Sequence, residues 1–417
     1  MKAIIILPEL RGVFHASLEI ANRLSKKGYE IVYCSSSDLS EWLHLYPYSF
    51  VKLPSKVIPK SLKADFHLKY LNAIQDLNGD LFIVDLECPV YILTCLSLGK
   101  KLFILNQFLP IPTFADAPIP NKEIAPGESF LSQMKIRISW LVSRSKLLTK
   151  AVIERVKNNF KDRRSLLIKL GETMGLDKKD YLYSRTLLPG PFFFFSKIPV
   201  LYITAREMDF KHKLRQNEHY VGPMIFLDRV DGTLEQDILA LEAIIKNAKK
   251  ENKKLIYCSL SSYRAVNNTF LKKLVDAFSK EENWEILIGL GSKSQKPAGV
   301  NPENIHFFKW IPALKVLPEA DCALVTAGFH TIHECIHFQV PMLTFSLGVT
   351  DQNGFQARIK YKKLGLTGNI QTDTSEDIFQ KVKTLLEDQE IKQAIRKMKF
   401  DFDNYEKEQV FEKLILN

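Results

Sequence analysis

A dense group of side chains in the last third of the chain has the chemistry needed to bind a phosphorylated ligand. An apolar run ends just before Gly328, which permits a tight turn, and a helical pattern begins near His330. The free backbone N–H groups and the positive end of a helix that starts there suit a diphosphate. Thr331 adds a hydroxyl donor, and Glu334 supplies, one turn further on, a carboxylate that can accept hydrogen bonds from ribose hydroxyls.

The elements that must position these side chains are predicted strands separated by helices, a rhythm typical of parallel α/β sheets. Predicted strands of the first series span residues 2–7, 30–34, 81–85 and 101–105. Predicted strands of the second series span residues 255–259, 285–289, 305–308 and 322–326.

Two successive series of this kind predict an α/β fold with two doubly wound Rossmann-like domains that face a cleft. We expect the first domain over residues 1–223, the second over 224–395, and a C-terminal helix over 396–417 that packs back on the first domain. Ligands of such sheets bind at the carboxyl ends of the strands, so the cleft between the domains is the expected site.

Composition limits the class of partner. The net charge of +11 favours anionic partners such as phosphorylated ligands or membrane surfaces. Nucleic acid is not expected, because the aromatic residues are not spaced as stacking platforms and no nucleic-acid module is present. No apolar run reaches about 18 residues, so we expect no membrane span. We expect the protein to be cytoplasmic.

No metal or other cofactor is expected. The six cysteines are scattered without a C-x-x-C pair, which favours small buried hydrophobes in a reducing compartment over zinc ligands. His333 and His337 share a helix face, but the sequence offers no evident third ligand.

The complete set resembles the donor-binding region of family 1 glycosyltransferases, the UDP-glycosyltransferases with the GT-B fold. That family shows W-x-P-Q, then T-H-G-G-x-N-S-x-x-E, then G-V-P and D-Q; this chain has W-I-P-A, T-A-G-F-H-T-I-H-E, V-P and D-Q at similar spacings. The resemblance implies that Trp310 stacks on the base, and that Gly328, His330 and Thr331 lie along the diphosphate. It implies that Glu334 holds the ribose.

The same resemblance assigns four more residues to the donor. Asp351 and Gln352 would bond hydroxyls of the donor sugar, and Ser259 and Ser262 match a family S-F-G-S turn near the phosphates. An inverting glycosyl transfer from a nucleotide diphosphate sugar, with a UDP-sugar as the expected co-substrate, is the activity that the family implies.

This sequence departs from the family pattern at the diphosphate. Ala313 stands in place of the family's glutamine, and Thr326 or Ala327 stands in place of its histidine. His330 replaces an asparagine, and Ser261 replaces a glycine. These changes affect the expected base and sugar preference more than the expected fold.

The catalytic residues are expected in the N-terminal half. The segment P-E-L-R-G-V-F-H ends at His15 and resembles the family's P-x-x-G-H loop with the spacing stretched, which places His15 at the start of a helix facing the cleft. A histidine is suited to remove the acceptor hydroxyl's proton, and a carboxylate would orient it. Asp85 occupies the family's aspartate position, with Glu87 as a nearby substitute.

A basic stretch over residues 133–164, interleaved with apolar residues, could contact an anionic membrane surface, although a solvated helix face is the competing interpretation. The phenylalanine run at 192–195 could enter lipid, line an acceptor pocket or form a core strand.

The leading hypothesis is an enzyme that glycosylates a hydrophobic, hydroxylated small molecule. The alternatives are a membrane-surface transferase with a lipid or lipid-linked acceptor, and a sugar-nucleotide-binding protein without catalysis.

Overall fold

The computed structural model describes residues 1–58, 65–112, 115–159, 162–181, 195–230, 233–260, 267–291, 294–297, 299, 302–349 and 351–416. The predicted phosphate residue Ser262, its neighbour Ser261 and three of the four phenylalanines of the run lie outside these ranges. The fourth, Phe195, is buried in the core of the first domain and does not enter lipid.

The first domain is built on a seven-stranded parallel sheet with the order β3-β2-β1-β4-β5-β6-β7. Its strands are β1 (Lys2–Ile6), β2 (Glu30–Ser35), β3 (Ser49–Lys52), β4 (Leu81–Asp85), β5 (Leu102–Asn106), β6 (Val200–Tyr202) and β7 (Glu218–Tyr220). The central strands read as unbroken apolar runs because helices cover both faces of a parallel sheet.

In the described part of the first domain, seven α-helices accompany this sheet. They are α1 (Arg11–Lys26), α2 (Ser40–Leu43), α3 (Leu68–Asp76), α4 (Pro89–Ser97), α5 (Phe130–Lys157), α6 (Arg163–Thr173) and α7 (Lys178–Tyr181). Helix α1 begins one turn earlier than the sequence predicts, because the extended Leu10 serves as its N-cap, so His15 lies inside the helix rather than at its start. Gly28 follows the helix with φ 86°, a left-handed conformation that favours glycine after a helix end.

The second domain contains a six-stranded parallel sheet with the order β10-β9-β8-β11-β12-β13. Its strands are β8 (Lys254–Ser259), β9 (Trp284–Gly289), β10 (Ile305–Phe308), β11 (Cys322–Thr326), β12 (Met342–Phe345) and β13 (Gly365–Gly368). Its helices are α8 (Glu235–Lys250), α9 (Asn268–Phe278), α10 (Ala313–Val316), α11 (Phe329–His337), α12 (Gln352–Tyr361), α13 (Ser375–Glu387), α14 (Gln389–Lys407) and α15 (Val410–Leu416).

Each sheet reverses its strand order at one point. The reversal lies between β1 and β4 in the first sheet and between β8 and β11 in the second. Chain segments that leave neighbouring strands at such a point diverge to opposite faces, which opens a crevice at the carboxyl ends. Asp85 and Ser259 end strands that flank these two crevices, and His15 and the start of α11 follow such strands.

The last two helices return to the first domain. The backbone N–H of Arg206 donates to the hydroxyl of Tyr405 on α14 at 3.0 Å. Glu412 on α15 lies 3.7 Å from Arg23 on α1. The chain passes from the first sheet to the second between Tyr220 and Glu235, which brackets the predicted boundary at residue 223.

A buried ion pair also joins the domains. Nε of Arg358 on α12 donates to Oδ1 of Asp209 at 2.7 Å, and the Arg358 side chain is fully buried. The hydroxyl of Tyr220 donates to the other carboxylate oxygen at 2.5 Å, and Nη1 of Arg358 donates to the carbonyl of Gly354 at 2.9 Å. Phe210 lies against the guanidinium at 4.2 Å.

We expect Arg358→Met to lower the free energy of unfolding by about 3–5 kcal/mol, because it leaves the Asp209 carboxylate buried without a cation. Urea denaturation followed by circular dichroism measures this change. The double variant Arg358→Met/Asp209→Asn should recover part of the loss, since it removes both charges. A loss no larger than that of Arg396→Met, an exposed arginine on α14, would contradict the prediction.

Candidate active site

A cavity of about 250 Å³ lies where the carboxyl ends of the two sheets face each other. The first domain contributes Arg11, Gly12 and His15 from α1, and Arg229 comes from the segment that joins the domains. The residues predicted from the sequence that line it are His15, Ser259, Trp310, Gly328, His330, Thr331, Glu334 and Gln352. The structure thus brings together most of the predicted donor side and the predicted base.

The N-terminus of α11 opens onto this cavity. Gly328 is the N-cap and supplies no side chain, so the first-turn N–H groups of α11 have no side-chain cap. The glycine was expected to permit a tight turn, but its φ of −81° is open to any residue. A Cβ there would meet only the Thr326 carbonyl oxygen, at 3.6 Å, so the protein itself tolerates a side chain at this position. What the glycine provides is room beside a helix N-terminus, where an anion is favoured.

Trp310 forms a flat aromatic wall of the cavity. The guanidinium carbon of Arg11 lies 4.7 Å from the centre of its ring, a cation–π contact between the two domains. The indole Nε1–H is buried and has no acceptor among the residues that the structure describes. Arg11 was not singled out from the sequence, although it lies within the P-E-L-R-G segment that carries the resemblance.

Glu334 is buried and paired with a residue that the sequence did not point to. Nη1 of Arg229 lies 2.6 Å from Oε1 of Glu334, and both side chains are more than nine-tenths buried. Arg229 belongs to the joining segment, where neither periodicity nor a family motif marks a functional position. Only the packing of that segment against α11 brings its charge into the cavity.

His330 connects the two domains through Gln107, which follows β5. The Gln107 amide nitrogen faces the carbonyl of Val13 at 3.2 Å and Oδ2 of Asp85 at 3.4 Å. The amide oxygen therefore remains to accept from Nε2 of His330, at 2.9 Å. Burial, and secondarily the charge of Arg229, lowers the pKa of His330 to about 3, so the ring is neutral with its proton on Nε2.

Asp85 was predicted to orient His15, but no hydrogen bond joins the two across the described part of the chain. The Asp85 carboxylate instead accepts from the backbone N–H of Glu87 at 2.9 Å and contacts Gln107. Because it is fully buried at the end of β4, its pKa rises to about 7. Its side-chain partner is therefore Gln107, which in turn bonds His330.

His15 lines the cavity from the second turn of α1. Burial lowers its pKa to about 2, and the nearby charges of Arg229 and Arg11 act in the same direction. The imidazole is consequently neutral at physiological pH, the form that accepts a proton. Within the described ranges, no side chain forms a hydrogen bond with it.

The predicted sugar-binding pair is divided. Gln352 lines the cavity, and its Oε1 accepts from the backbone N–H of Leu347 at 2.8 Å. Asp351 is not part of the cavity wall; its Oδ2 accepts from the backbone N–H of Leu109 in the first domain at 3.0 Å. Asp351 is the N-cap of α12 and faces the domain interface, whereas the next residue begins the helix and faces the cavity.

His333 and the six cysteines lie outside the cavity and are buried in the fold. Nε2 of His333 lies 2.9 Å from the hydroxyl of Thr204, another contact between the domains. All six cysteines are buried, as the sequence predicts. Among the described residues, no three His, Cys, Asp or Glu side chains form a group that could hold a metal ion.

Parts of the chain are similar in sequence to known glycosyltransferases. The profile of the family described as "UDP-glucoronosyl and UDP-glucosyl transferase" matches residues 240–402. The oleandomycin glycosyltransferase of Streptomyces antibioticus is 25% identical over 148 residues, which are 35% of this chain and 34% of that protein. An uncharacterised UDP-glucosyltransferase of Bacillus subtilis is 31% identical over 97 residues, which are 22% of this chain and 24% of that protein. The matches thus span a quarter to a third of the length of these two relatives.

Solved structures match over nearly the whole chain. The crystal structure of the glycosyltransferase of kitacinnamycin has a TM-score of 0.71 at 16% identity, covering 97% of this chain and 95% of that one. The glycosyltransferase VinC in complex with DTDP has a TM-score of 0.63 at 12% identity, with the same coverage. The predicted fold, two facing α/β domains of the GT-B type, is confirmed.

The raised pKa of Asp85 predicts a specific pH dependence of stability. Between about pH 4 and 7 the folded chain retains a proton that the unfolded chain has released, so this group lowers stability as the pH rises through that window. An asparagine side chain cannot ionise, so the unfolding free energy of Asp85→Asn minus that of the wild type should increase from pH 4 to 7 and then level off.

Urea denaturation across this pH range measures that difference, and any constant offset reports the altered bond to Gln107. Asp76→Asn, at an exposed position on α3, is the matched control. A difference for Asp85→Asn that does not vary with pH would show that the carboxylate is already ionised in the fold.

Proposed function

We propose that the protein moves a sugar from a nucleotide diphosphate donor to a hydroxyl group of a small hydrophobic acceptor, because residues 240–402 match the family of UDP-glucuronosyl and UDP-glucosyl transferases. The observation that carries this proposal is the cavity itself. It sets the N-terminus of α11, Trp310 and Glu334 in one wall and His15 in the wall opposite, on the other domain.

The donor fits this wall part by part. Trp310 offers a flat face for a nucleobase, and the buried carboxylate of Glu334 offers acceptors for ribose hydroxyls. The diphosphate then lies at the N-terminus of α11, with Thr331 adding a hydroxyl. Arg11 and Arg229 line the same cavity and supply the positive charge that the family places at its histidine.

The transfer proceeds with inversion in this arrangement. The acceptor oxygen attacks the anomeric carbon and its proton passes to His15, while the bond from that carbon to the diphosphate breaks and the nucleotide departs with the electron pair. The negative diphosphate offsets the charges of Arg229 and Arg11, which raises the pKa of His15 from its low value and makes the ring a stronger base when donor is bound.

The acceptor class follows from the relatives and from the first domain. The relatives include an oleandomycin glycosyltransferase, which supports a natural-product type of acceptor. A lipid acceptor is the second candidate, since α5 in the acceptor domain leaves large apolar side chains exposed. A panel that includes macrolides, phenolics, sterols and a prenyl-linked sugar separates these classes by mass spectrometry of the products.

We expect His15→Ala to reduce kcat for transfer about 100-fold or more, because the attacking hydroxyl loses its base. UDP affinity, measured by calorimetry, should change little. His44→Ala, at an exposed position outside the cavity, is the control. Undiminished turnover in His15→Ala would remove this residue from the chemistry, and UDP binding by the wild type without hydrolysis or transfer of any donor would favour the non-catalytic alternative.

We expect Glu334→Gln to weaken UDP binding about 10- to 100-fold, because hydrogen bonds from ribose hydroxyls to a charged acceptor are lost. The sharper readout compares UDP with 2′-deoxy-UDP, since loss of the Arg229 pair affects both nucleotides equally. Wild-type preference for UDP should collapse in the variant, whereas Glu242→Gln, an exposed glutamate on α8, should retain it. An unchanged preference in Glu334→Gln would place the ribose elsewhere.

A further inference from the structure

Helix α5 is the longest helix among the described residues, and it contacts the rest of the protein through one narrow face. Of its 28 residues, only Ile136 and Trp140 are buried. The indole N–H of Trp140 donates to the carbonyl of Ala117 at 2.8 Å, which fixes the rotation of the helix about its axis. At about 1.5 Å per residue the helix is about 40 Å long.

The outward side of α5 is apolar. With about 100° between successive residues, its exposed apolar side chains fall on one arc opposite Ile136 and Trp140. Phe130 is 73% exposed, Leu131 79% and Val156 61%. The exposed apolar residues of α5 are Phe130, Leu131, Ile138, Leu141, Val142, Leu148, Val152, Ile153 and Val156. Ser145 and Thr149 lie on the same arc, so the face is predominantly rather than wholly apolar, and an exposed face of this length marks an interaction surface.

Cations border this apolar stripe on both sides. The same geometry places Arg137, Arg144 and Arg155 along one edge. It places Lys135, Lys146, Lys150 and Lys157 along the other edge. Glu154 is the single acidic residue of the helix, and it lies away from both edges.

We propose that α5 binds the surface of an anionic lipid bilayer, with its axis in the plane of the interface. The stripe would enter the boundary between head groups and acyl chains, while the arginines and lysines at its edges extend to the lipid phosphates. Charge complementarity along both edges selects a bilayer over a protein groove, because a planar array of phosphates meets two parallel rows of cations at once. None of the described helices has the length and apolar character to cross a bilayer.

This contact is separate from glycosyl transfer, and its test involves no donor or acceptor. The full chain is sedimented with vesicles of phosphatidylcholine alone and with vesicles of equal parts phosphatidylcholine and phosphatidylglycerol. We expect binding to the anionic vesicles only, decreasing as salt is added.

Two variants separate the contribution of the apolar stripe to vesicle binding from that of the cations at its edges. Leu131→Ser/Ile138→Ser/Val152→Ser interrupts the stripe, and Arg137→Gln/Lys146→Gln/Lys150→Gln removes cations from both edges. Each set should weaken partitioning about 100-fold. Because all six side chains are exposed, both variants should keep the thermal midpoint and UDP affinity of the wild type. The matched control Leu239→Ser/Lys246→Gln alters exposed residues of the same types on α8 and should bind like the wild type.

The proposal is overturned if the wild type stays in solution with anionic vesicles, or if the stripe variant sediments as the wild type does. Sedimentation velocity without vesicles provides the other decisive comparison. A wild-type dimer that the stripe variant converts to a monomer would assign the surface to a second copy of the chain instead.

Discussion

The buried contact between Arg358 and Asp209 is the constraint on which the geometry of the cleft depends. One partner lies on α12 of the second domain and the other on the segment between β6 and β7 of the first, so the pair ties the two domains together. A buried ion pair contributes less to net stability than its Coulomb energy suggests, because both charges lose their water. It is intolerant of misalignment, however, and that intolerance holds His15 and the N-terminus of α11 at opposite walls of one cavity.

The cavity concentrates positive charge while its histidines remain neutral. Arg11 and Arg229 reach it from the first domain and the joining segment, and burial keeps His15 and His330 unprotonated beside them. A site with permanent guanidinium charges and neutral rings attracts a polyanion without depending on pH near neutrality. Lys309 lines the same cavity from the second domain, so three cations surround the place where the family pattern has its histidine.

The fold was predictable wherever burial leaves a clear pattern. β1, β4 and β11 are unbroken apolar runs, and the sequence located them to within about a residue. β3 is largely exposed and β13 begins and ends in glycine, so neither strand leaves such a pattern. β12 is buried but was also missed, because its four residues are too few to establish a period. The family resemblance located the donor wall, since its motif is contiguous. It could not locate Arg229, nor the bond from Gln107 to His330, because those contacts exist only once two domains distant in sequence have packed together.

The two side chains best suited to hold a nucleotide are each already held by an arginine. Arg11 covers the face of Trp310, and Arg229 neutralises Glu334. A nucleobase that stacks on this indole face and a ribose that bonds this carboxylate must therefore displace internal competitors. The apparent affinity for nucleotide is then lower than the intrinsic affinity, in proportion to the fraction of molecules in which the arginines have left Trp310 and Glu334. In the donor complex that we propose, this displacement frees both guanidinium groups within the cavity that would hold the diphosphate, so binding of the nucleoside end makes available the charges that pair with the phosphate end.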